Sequence, residues 1–375
     1  MTQLNVPRYG VDARWWTAGP PSGRNYVRHL IAEFAADPNS DDYIAFVRNG
    51  AGRAPAACVP IRVVRLPSMP AVLFNSVGVQ ARMPGSVKSV VYQNFTPPVS
   101  RAGSVTVIHD LIFMTHPEYF GRAERLYLSL VARLLPRATI VAAVSEHVRN
   151  EVLERWPGRE PGSVIVAPNG INEGLLDAAA NVNDPDADRA VLARLGVSRP
   201  YVLYLGRLNV RKNLSRLMTA FAAADLAGFQ LVLAGPPDAS CGDLAAQAEQ
   251  LGIRDRVRLT GRIADTALPA LMRNANVFAY VSLEEGFGVP PLEAMAFGIP
   301  VVCSDIPALR ETAAEGGALF ANAGDVESIA ECLTRAAIDE ALRASASVLG
   351  QAHAQRYRWQ TTAQILRNAL EQASR

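Results

Sequence analysis

"YVLYLGRLNVRKNLSRLMTAF", Tyr201 to Phe221, joins an apolar run to a helical pattern through a short turn that carries Arg207 and Lys212. The run before Gly206 is almost continuously apolar, which suits a strand of a parallel sheet covered on both faces. The helical pattern begins near Asn213 or Leu214. A strand that feeds a helix through a short turn is the repeating piece of an α/β fold.

The same piece recurs in both directions along the chain. Towards the C-terminus, strands are expected at "FQLVLAG", "RVRLTG", "NVFAYVS" and "IPVVCSD". Towards the N-terminus they are expected at "DYIAFVR", "IRVVRL", "SVVYQN", "SVTVIHD", "TIVAAVS" and "SVIVAPN". Helical candidates lie between them, among them "GRNYVRHLIAEFAA" and "AERLYLSLVARLL". Strand–helix alternation over this length implies two doubly wound α/β domains. The polar, turn-rich "EGLLDAAANVNDPDADRA" marks a linker near residues 172–198. The domains are therefore expected at 1–180 and 181–355, with a last helical segment over 356–375. Two such domains facing a cleft set the carboxyl ends of their strands opposite each other, where such folds bind ligands.

Composition narrows the function classes. Of 375 residues, 49% are hydrophobic and 19% charged, so a large core is available and disorder is not indicated. A formal net charge of +2 is too balanced for nucleic acid to be the main partner. Cys58, Cys241, Cys303 and Cys332 show no paired or metal-ligand spacing and are expected to be buried, reduced thiols. The opening residues lack the layout of a signal peptide, and no apolar run approaches the roughly 18–20 residues that span a bilayer. The expectation is a cytoplasmic protein. The arginines of "GRAERLYLSLVARLLPRA" suit either a peripheral contact with an anionic membrane face or a solvated helix face.

Basic residues are almost all arginine; the only lysines are Lys88 and Lys212. Lys212 therefore stands out beside Arg207 at a strand-to-helix turn. A helix N-terminus offers roughly +0.5 charge and unpaired N–H groups, and with two cations it makes an anion site. A solvated basic loop is the alternative. A second segment, "LEEGFGVPPLEAMAFGIPVVCSD" from Leu283 to Asp305, holds Glu285 and Glu293 amid apolar residues. Gly286 and Gly288 permit close backbone approach to a ligand, and Pro290 and Pro291 suit a helix start. Glu293 is then expected in the first helical turn, where the dipole favours a carboxylate, so a structural role also accounts for it. Glu285, in an apolar loop, has no such account, which favours a ligand role.

These residues carry a resemblance. "GRLNVRKN" followed by "EEGFGVPPLEAMAFGIPVVCSD" resembles the donor half of family 4 of the retaining glycosyltransferases, with its E-x7-E pattern at Glu285 and Glu293. "GVDAR", "VTVIHDLIFMTHPEYF", "VAAVSEHVRNEVL" and "VIVAPNGI" are similar to first-half segments of that family in the same order. The resemblance implies the GT-B fold: two Rossmann-like domains and a C-terminal helix crossing back to the first. It implies that Arg207 and Lys212 hold the diphosphate of a nucleotide-sugar and that Glu293 binds the ribose hydroxyls. Glu285 is implied to bind the transferred sugar, with the backbone of Gly286, Phe287 and Gly288 facing sugar and phosphate. His109 matches the family's histidine near the reacting face, although a lone histidine is more often structural. The loop "GPPSGRNYVRHL" departs from the family's glycine-rich pattern. Gly23 and Arg24 keep its core, so contacts to donor or acceptor there are left open.

The activity implied is retaining transfer of a hexose from a nucleoside-diphosphate sugar to a hydroxyl of a glycan or lipid-linked glycan. No Asp-x-Asp motif lies in a suitable loop, so the cations are expected to serve without a metal and without a cofactor. The wording is most similar to bacterial mannosyltransferases of surface polysaccharide assembly, which points to GDP-mannose, with UDP-linked glucose or N-acetylglucosamine next. A GT-B epimerase, a phosphorylase and a non-catalytic homologue are the rival readings. A nicotinamide oxidoreductase lacks support, because no strand leads into G-x-G-x-x-G.

Overall fold

The structure is a computed structural model that describes residues 6–17, 19–50, 61–181 and 184–375. It divides into one unit of residues 1–170 and 358–375, and a second of residues 171–357.

In the first unit, β1 (Tyr9–Asp12), β2 (Tyr43–Arg48), β3 (Arg62–Leu66), β4 (Ser89–Gln93), β5 (Gly103–Ile108), β6 (Ile140–Ala143) and β7 (Val164–Val166) form one sheet. Its order is β3-β2-β1-β4-β5-β6-β7, and every pairing is parallel. Residues of β1, β4 and β6 are buried throughout, as strands covered on both faces must be. The helix Pro21–Ala36 packs beside the C-terminal helix Trp359–Ala373, which also lies against β4 and β5. Trp359, Leu366 and Leu370 of that last helix are buried. Ser89 Oγ donates to Leu370 O at 2.7 Å, and Arg367 pairs with Asp37 and donates to Tyr43 Oη at 3.0 Å. The last helix thus belongs to the first unit, as the resemblance implied.

The second unit contains β8 (Tyr201–Leu205), β9 (Gln230–Ala234), β10 (Val257–Gly261), β11 (Val277–Tyr280), β12 (Val301–Ser304) and β13 (Leu319–Ala321). Their order is β10-β9-β8-β11-β12-β13, again all parallel. In both sheets consecutive strands run one way from the first strand and then jump to its other side. The jump lies between β1 and β4 in one and between β8 and β11 in the other. A crevice opens at such a switch point, at the carboxyl ends of the strands.

The region read as a linker folds differently from that expectation. Glu173–Ala180 and Pro185–Leu195 are helices of the second unit, so residues 171–180 do not go with the first domain. The polar residues that suggested a linker are helix caps. Asn172 Oδ1 accepts from Gly174 N–H at 3.0 Å, and Asp184 Oδ1 from Asp186 and Ala187 N–H at 2.9 and 3.2 Å. Asp188 is buried and takes the Arg273 guanidinium at 2.8 Å, which fastens the second helix to its own domain.

Among the described residues no helix is long and apolar enough to cross a membrane. Cys303 and Cys332 are buried as expected, whereas Cys241 is half-buried; Cys58 lies outside the described residues. Leu366→Ala should cost about 2–5 kcal/mol of stability, because it opens a cavity under the last helix. Urea denaturation checks this, and a loss under about 1 kcal/mol would show that the helix is not held by its packing.

Candidate functional site

The turn after β8 places its side chains by a chain of local constraints. Val210–Lys212 is a single 3₁₀ turn, and Asn213 follows at φ 59°, a left-handed conformation that asparagine tolerates. Asn213 Nδ2 donates to Val281 O at 3.1 Å and to Ala323 O at 2.9 Å, and the helix Leu214–Ala223 starts there. Leu283 N–H donates to Arg211 O at 2.8 Å. The turn after β8 is thereby stitched to the loop after β11, across the switch point of the second sheet.

Those bonds bring Lys212 and Glu285 together. Both are almost fully buried, at 6% and 7% exposure, and they form an ion pair through Lys212 Nζ and Glu285 Oε1. Lys212 Nζ also donates to Tyr280 Oη at 2.6 Å. Arg211 Nη1 donates to Glu285 Oε2 at 3.0 Å and to Glu284 O at 2.6 Å. Burial alone would raise the Glu285 carboxyl. The Lys212 ammonium, followed by the Arg211 guanidinium, overcomes this and holds it at about 2. A carboxylate so paired is ionised at neutral pH.

Arg207 lies apart from that cluster. Its side chain is 57% exposed and pairs with Asp238 on the turn after β9 at 2.5 Å, while Tyr204 Oη donates to its carbonyl at 3.0 Å. Between the turns after β8, β9 and β10 is a cavity of about 490 Å³ with largely apolar walls, including Leu208, Pro237, Leu244 and Leu259.

The glycine-rich loop has a structural explanation in part. Gly288 has φ 96°, and a Cβ there would sit 2.4 Å from Leu309 Cδ2, so no larger residue fits. Phe287 is buried, with its ring edge-on to Tyr357 at 5.7 Å, and its carbonyl accepts from Thr312 Oγ1 at 2.9 Å. Its side chain is therefore core, and only its backbone is available to a ligand. The helix begins at Val289, with the prolines in its first turn as expected, so Glu293 falls one turn later than the sequence suggested. The helix dipole, which fades within the first turn, does not account for it. Burial instead raises Glu293 from an ordinary 4.5 to about 7.

The first unit has its own polar cluster at the switch point between β1 and β4. Asp12 and Arg14 form a fully buried ion pair, and Gln93 N–H donates to Asp12 Oδ2 at 3.2 Å. Gln93 Oε1 lies 3.2 Å from His109 Nε2, so His109 joins this cluster from the end of β5. Its ring meets Tyr26 edge-on at 5.0 Å, and burial lowers it to about 4, so it is neutral near pH 7. Gly23 and Arg24 lie in the first turn of the helix Pro21–Ala36. A Cβ on Gly23 would sit 2.3 Å from Trp15 Cε3, so packing against tryptophan explains that glycine.

Residues 193–352 match the family described as glycosyl transferases group 1. The O-antigen chain mannosyltransferase B of Escherichia coli is 30% identical over 281 residues, covering 73% of this chain and 72% of that protein. The chain belongs to the group 1 glycosyl transferases. The serotype-specific mannosyltransferase WbdA of Escherichia coli is 29% identical over 272 residues, 70% of this chain but only 32% of its own length. Among solved structures, Anabaena HepE in complex with UDP and glucose has a TM-score of 0.71 at 21% identity, covering 98% of this chain and 100% of that one. That likeness concerns the fold, which is GT-B.

For this glycosyltransferase, sequence reasoning singled out Lys212, Glu285, Glu293 and Arg207, and the structure clusters the first two. It missed Arg211 and Tyr280, which complete the surroundings of the Glu285 carboxylate. The signal for Arg211 was present, since it adjoins Lys212 in the same cationic turn. Tyr280 read only as an apolar strand residue.

The two glutamates should respond oppositely to pH. Glu285 is depressed, so its stabilisation is complete above about 4.5 and is lost as pH falls towards 2. Glu293 is raised, so the folded state holds its proton more tightly than the unfolded state does. Its ionisation then destabilises the fold progressively as pH rises from 4.5 through 7. Glu293→Gln should therefore gain stability relative to wild type between pH 5 and pH 8 in urea denaturation. An unchanged difference between the two proteins at those pH values would refute the raised carboxyl.

Proposed function

We propose that this chain is a retaining hexosyltransferase that moves mannose from GDP-mannose to a hydroxyl of a glycan or lipid-linked glycan in bacterial polysaccharide synthesis. The observation that carries the reading is the Lys212–Glu285 pair at the carboxyl ends of β8 and β11. It sets a cation for a diphosphate beside a carboxylate for sugar hydroxyls. The mannosyltransferase relatives support the sugar and the polysaccharide setting.

In this reading the base enters the apolar cavity beside Leu208 and Leu259, and Glu293 accepts hydrogen bonds from the ribose. Lys212, Arg207 and the N-terminus of the Leu214–Ala223 helix stabilise the charge that builds on the departing diphosphate. These cations do the work that a divalent ion does elsewhere, so no metal enters the scheme. The bond from the anomeric carbon to the phosphate oxygen breaks, and the acceptor oxygen bonds to the same face. The acceptor proton passes to the leaving phosphate. His109, neutral and held by Gln93, supplies a hydrogen bond near the reacting face rather than acid catalysis. Transfer takes place on the cytoplasmic side of the membrane that carries the acceptor.

A panel of nucleotide-sugars screened by thermal stabilisation tests the donor: GDP-mannose should raise the melting temperature most, and a larger rise with a UDP-sugar would overturn that choice. Lys212→Ala should lower turnover on the order of 10²-fold or more, measured below the variant's melting temperature. Unchanged turnover would sink the diphosphate assignment. Glu285→Gln should abolish transfer while nucleotide affinity is kept.

A further inference from the structure

Arg211 is bound to the loop it serves in three ways. Its carbonyl accepts from Leu283 N–H at 2.8 Å, and its guanidinium donates to Glu284 O at 2.6 Å and to Glu285 Oε2 at 3.0 Å. Lys212 takes the other carboxylate oxygen, Oε1. Each oxygen of one buried carboxylate thus has its own cation, from adjacent residues of a single turn.

The two cations differ in what they can release. The Lys212 ammonium is a compact charge on a flexible stem that can reorient towards a diphosphate. Arg211 Nη1 is shared between a backbone carbonyl and the carboxylate, and Arg211 is fastened to the same loop by its own main chain. A diphosphate that draws Lys212 towards it would leave the Glu285 carboxylate buried beside new negative charge. The groups facing Glu285 are Lys212, Arg211, the Tyr280 and Tyr204 phenols, the Ser282 hydroxyl and the Cys303 thiol. Burial pushes both phenols and the thiol up, so they stay neutral, and Arg211 is then the cation left to the carboxylate.

Resting on the donor-site reading above, we propose that Arg211 is a positioning residue that keeps Glu285 aimed at the sugar hydroxyls while Lys212 turns to the leaving diphosphate. It separates two tasks that one lysine cannot perform together. Without Arg211 the buried carboxyl would take up a proton as the donor binds and would lose an acceptor oxygen.

The first test needs no ligand. Carbon-13 NMR of glutamate-labelled protein follows the Glu285 carboxyl through acid titration, with Glu285→Gln identifying its signal. Arg211→Met should raise the midpoint by roughly one unit or more over wild type. Arg211→Gln, which lacks the charge but keeps a hydrogen-bond donor, should do the same and serves if the methionine variant does not fold. A midpoint that stays within about 0.3 units would overturn the proposal.

The second test compares affinities for GDP and GDP-mannose, and in parallel UDP and UDP-glucose, at pH 5 and pH 8. Arg211→Met should bind the bare diphosphate within about threefold of wild type. It should lose about tenfold or more of the preference for the sugar nucleotide, with a larger loss at pH 5. Arg211→Lys should restore most of that preference. If bare-diphosphate affinity falls as far as in Lys212→Met, Arg211 is a phosphate contact and the proposal fails. If wild type binds neither pair, the donor-site reading fails by itself, and the carboxyl titration still decides what Arg211 does.

Discussion

The second unit depends on one buried carboxylate between two cations. Glu285 comes from the loop after β11, while Lys212 and Arg211 come from the turn after β8. These strands are neighbours in the sheet but lie far apart in sequence, on either side of the point where strand order reverses. A buried pair of this kind adds little stability compared with well-packed apolar groups, yet losing one partner costs about 3–5 kcal/mol. Its presence in an otherwise apolar loop therefore argues for chemistry. The pair also fixes geometry, because the 3₁₀ turn, the left-handed Asn213 and the Leu283–Arg211 backbone bond serve to bring the three charges together.

Both sheets share one winding rule, and both place their polar groups where that rule leaves a crevice. In the first sheet the cluster is Asp12, Arg14, Gln93 and His109; in the second it is Lys212, Arg211 and Glu285. The contrast lies in their charges. In the first cluster the Asp12–Arg14 pair neutralises itself out of solvent, beside a neutral imidazole. The second holds two cations against one carboxylate, which leaves positive charge in excess. That excess makes the second cluster the better suited of the two to an anionic ligand.

Much of the fold was legible because parallel strands covered on both faces must be apolar along their length. "YVLYLG", "NVFAYVS" and "IPVVCSD" announce β8, β11 and β12 in this way. The runs that escaped notice had weaker signals. β1 is a four-residue strand, "YGVD", whose apolar content is diluted by Gly10 and Asp12, although it is the interior strand from which the first sheet's order reverses. β13 is a three-residue strand at the edge of the second sheet. The polar stretch near residues 172–198 misled for the opposite reason, since capping residues and linker residues are the same amino acids.

The site was legible in its residue types but not in its electrostatics. Glu285 and Glu293 are one motif in the sequence, with seven residues between them, and spacing alone treats them alike. Folding gives them opposite characters. Glu285 has two cations within hydrogen-bond distance and is held ionised far below neutrality. Glu293, on the next helix beyond its first turn, has burial without such a cation, and it titrates near neutrality. A carboxyl poised there can change its protonation when a ligand supplies or withdraws hydrogen bonds, whereas one held near 2 cannot. The spacing of the pair reflects the loop and helix that carry them, while the charge of Glu285 is set by what the turn after β8 brings alongside and that of Glu293 by burial.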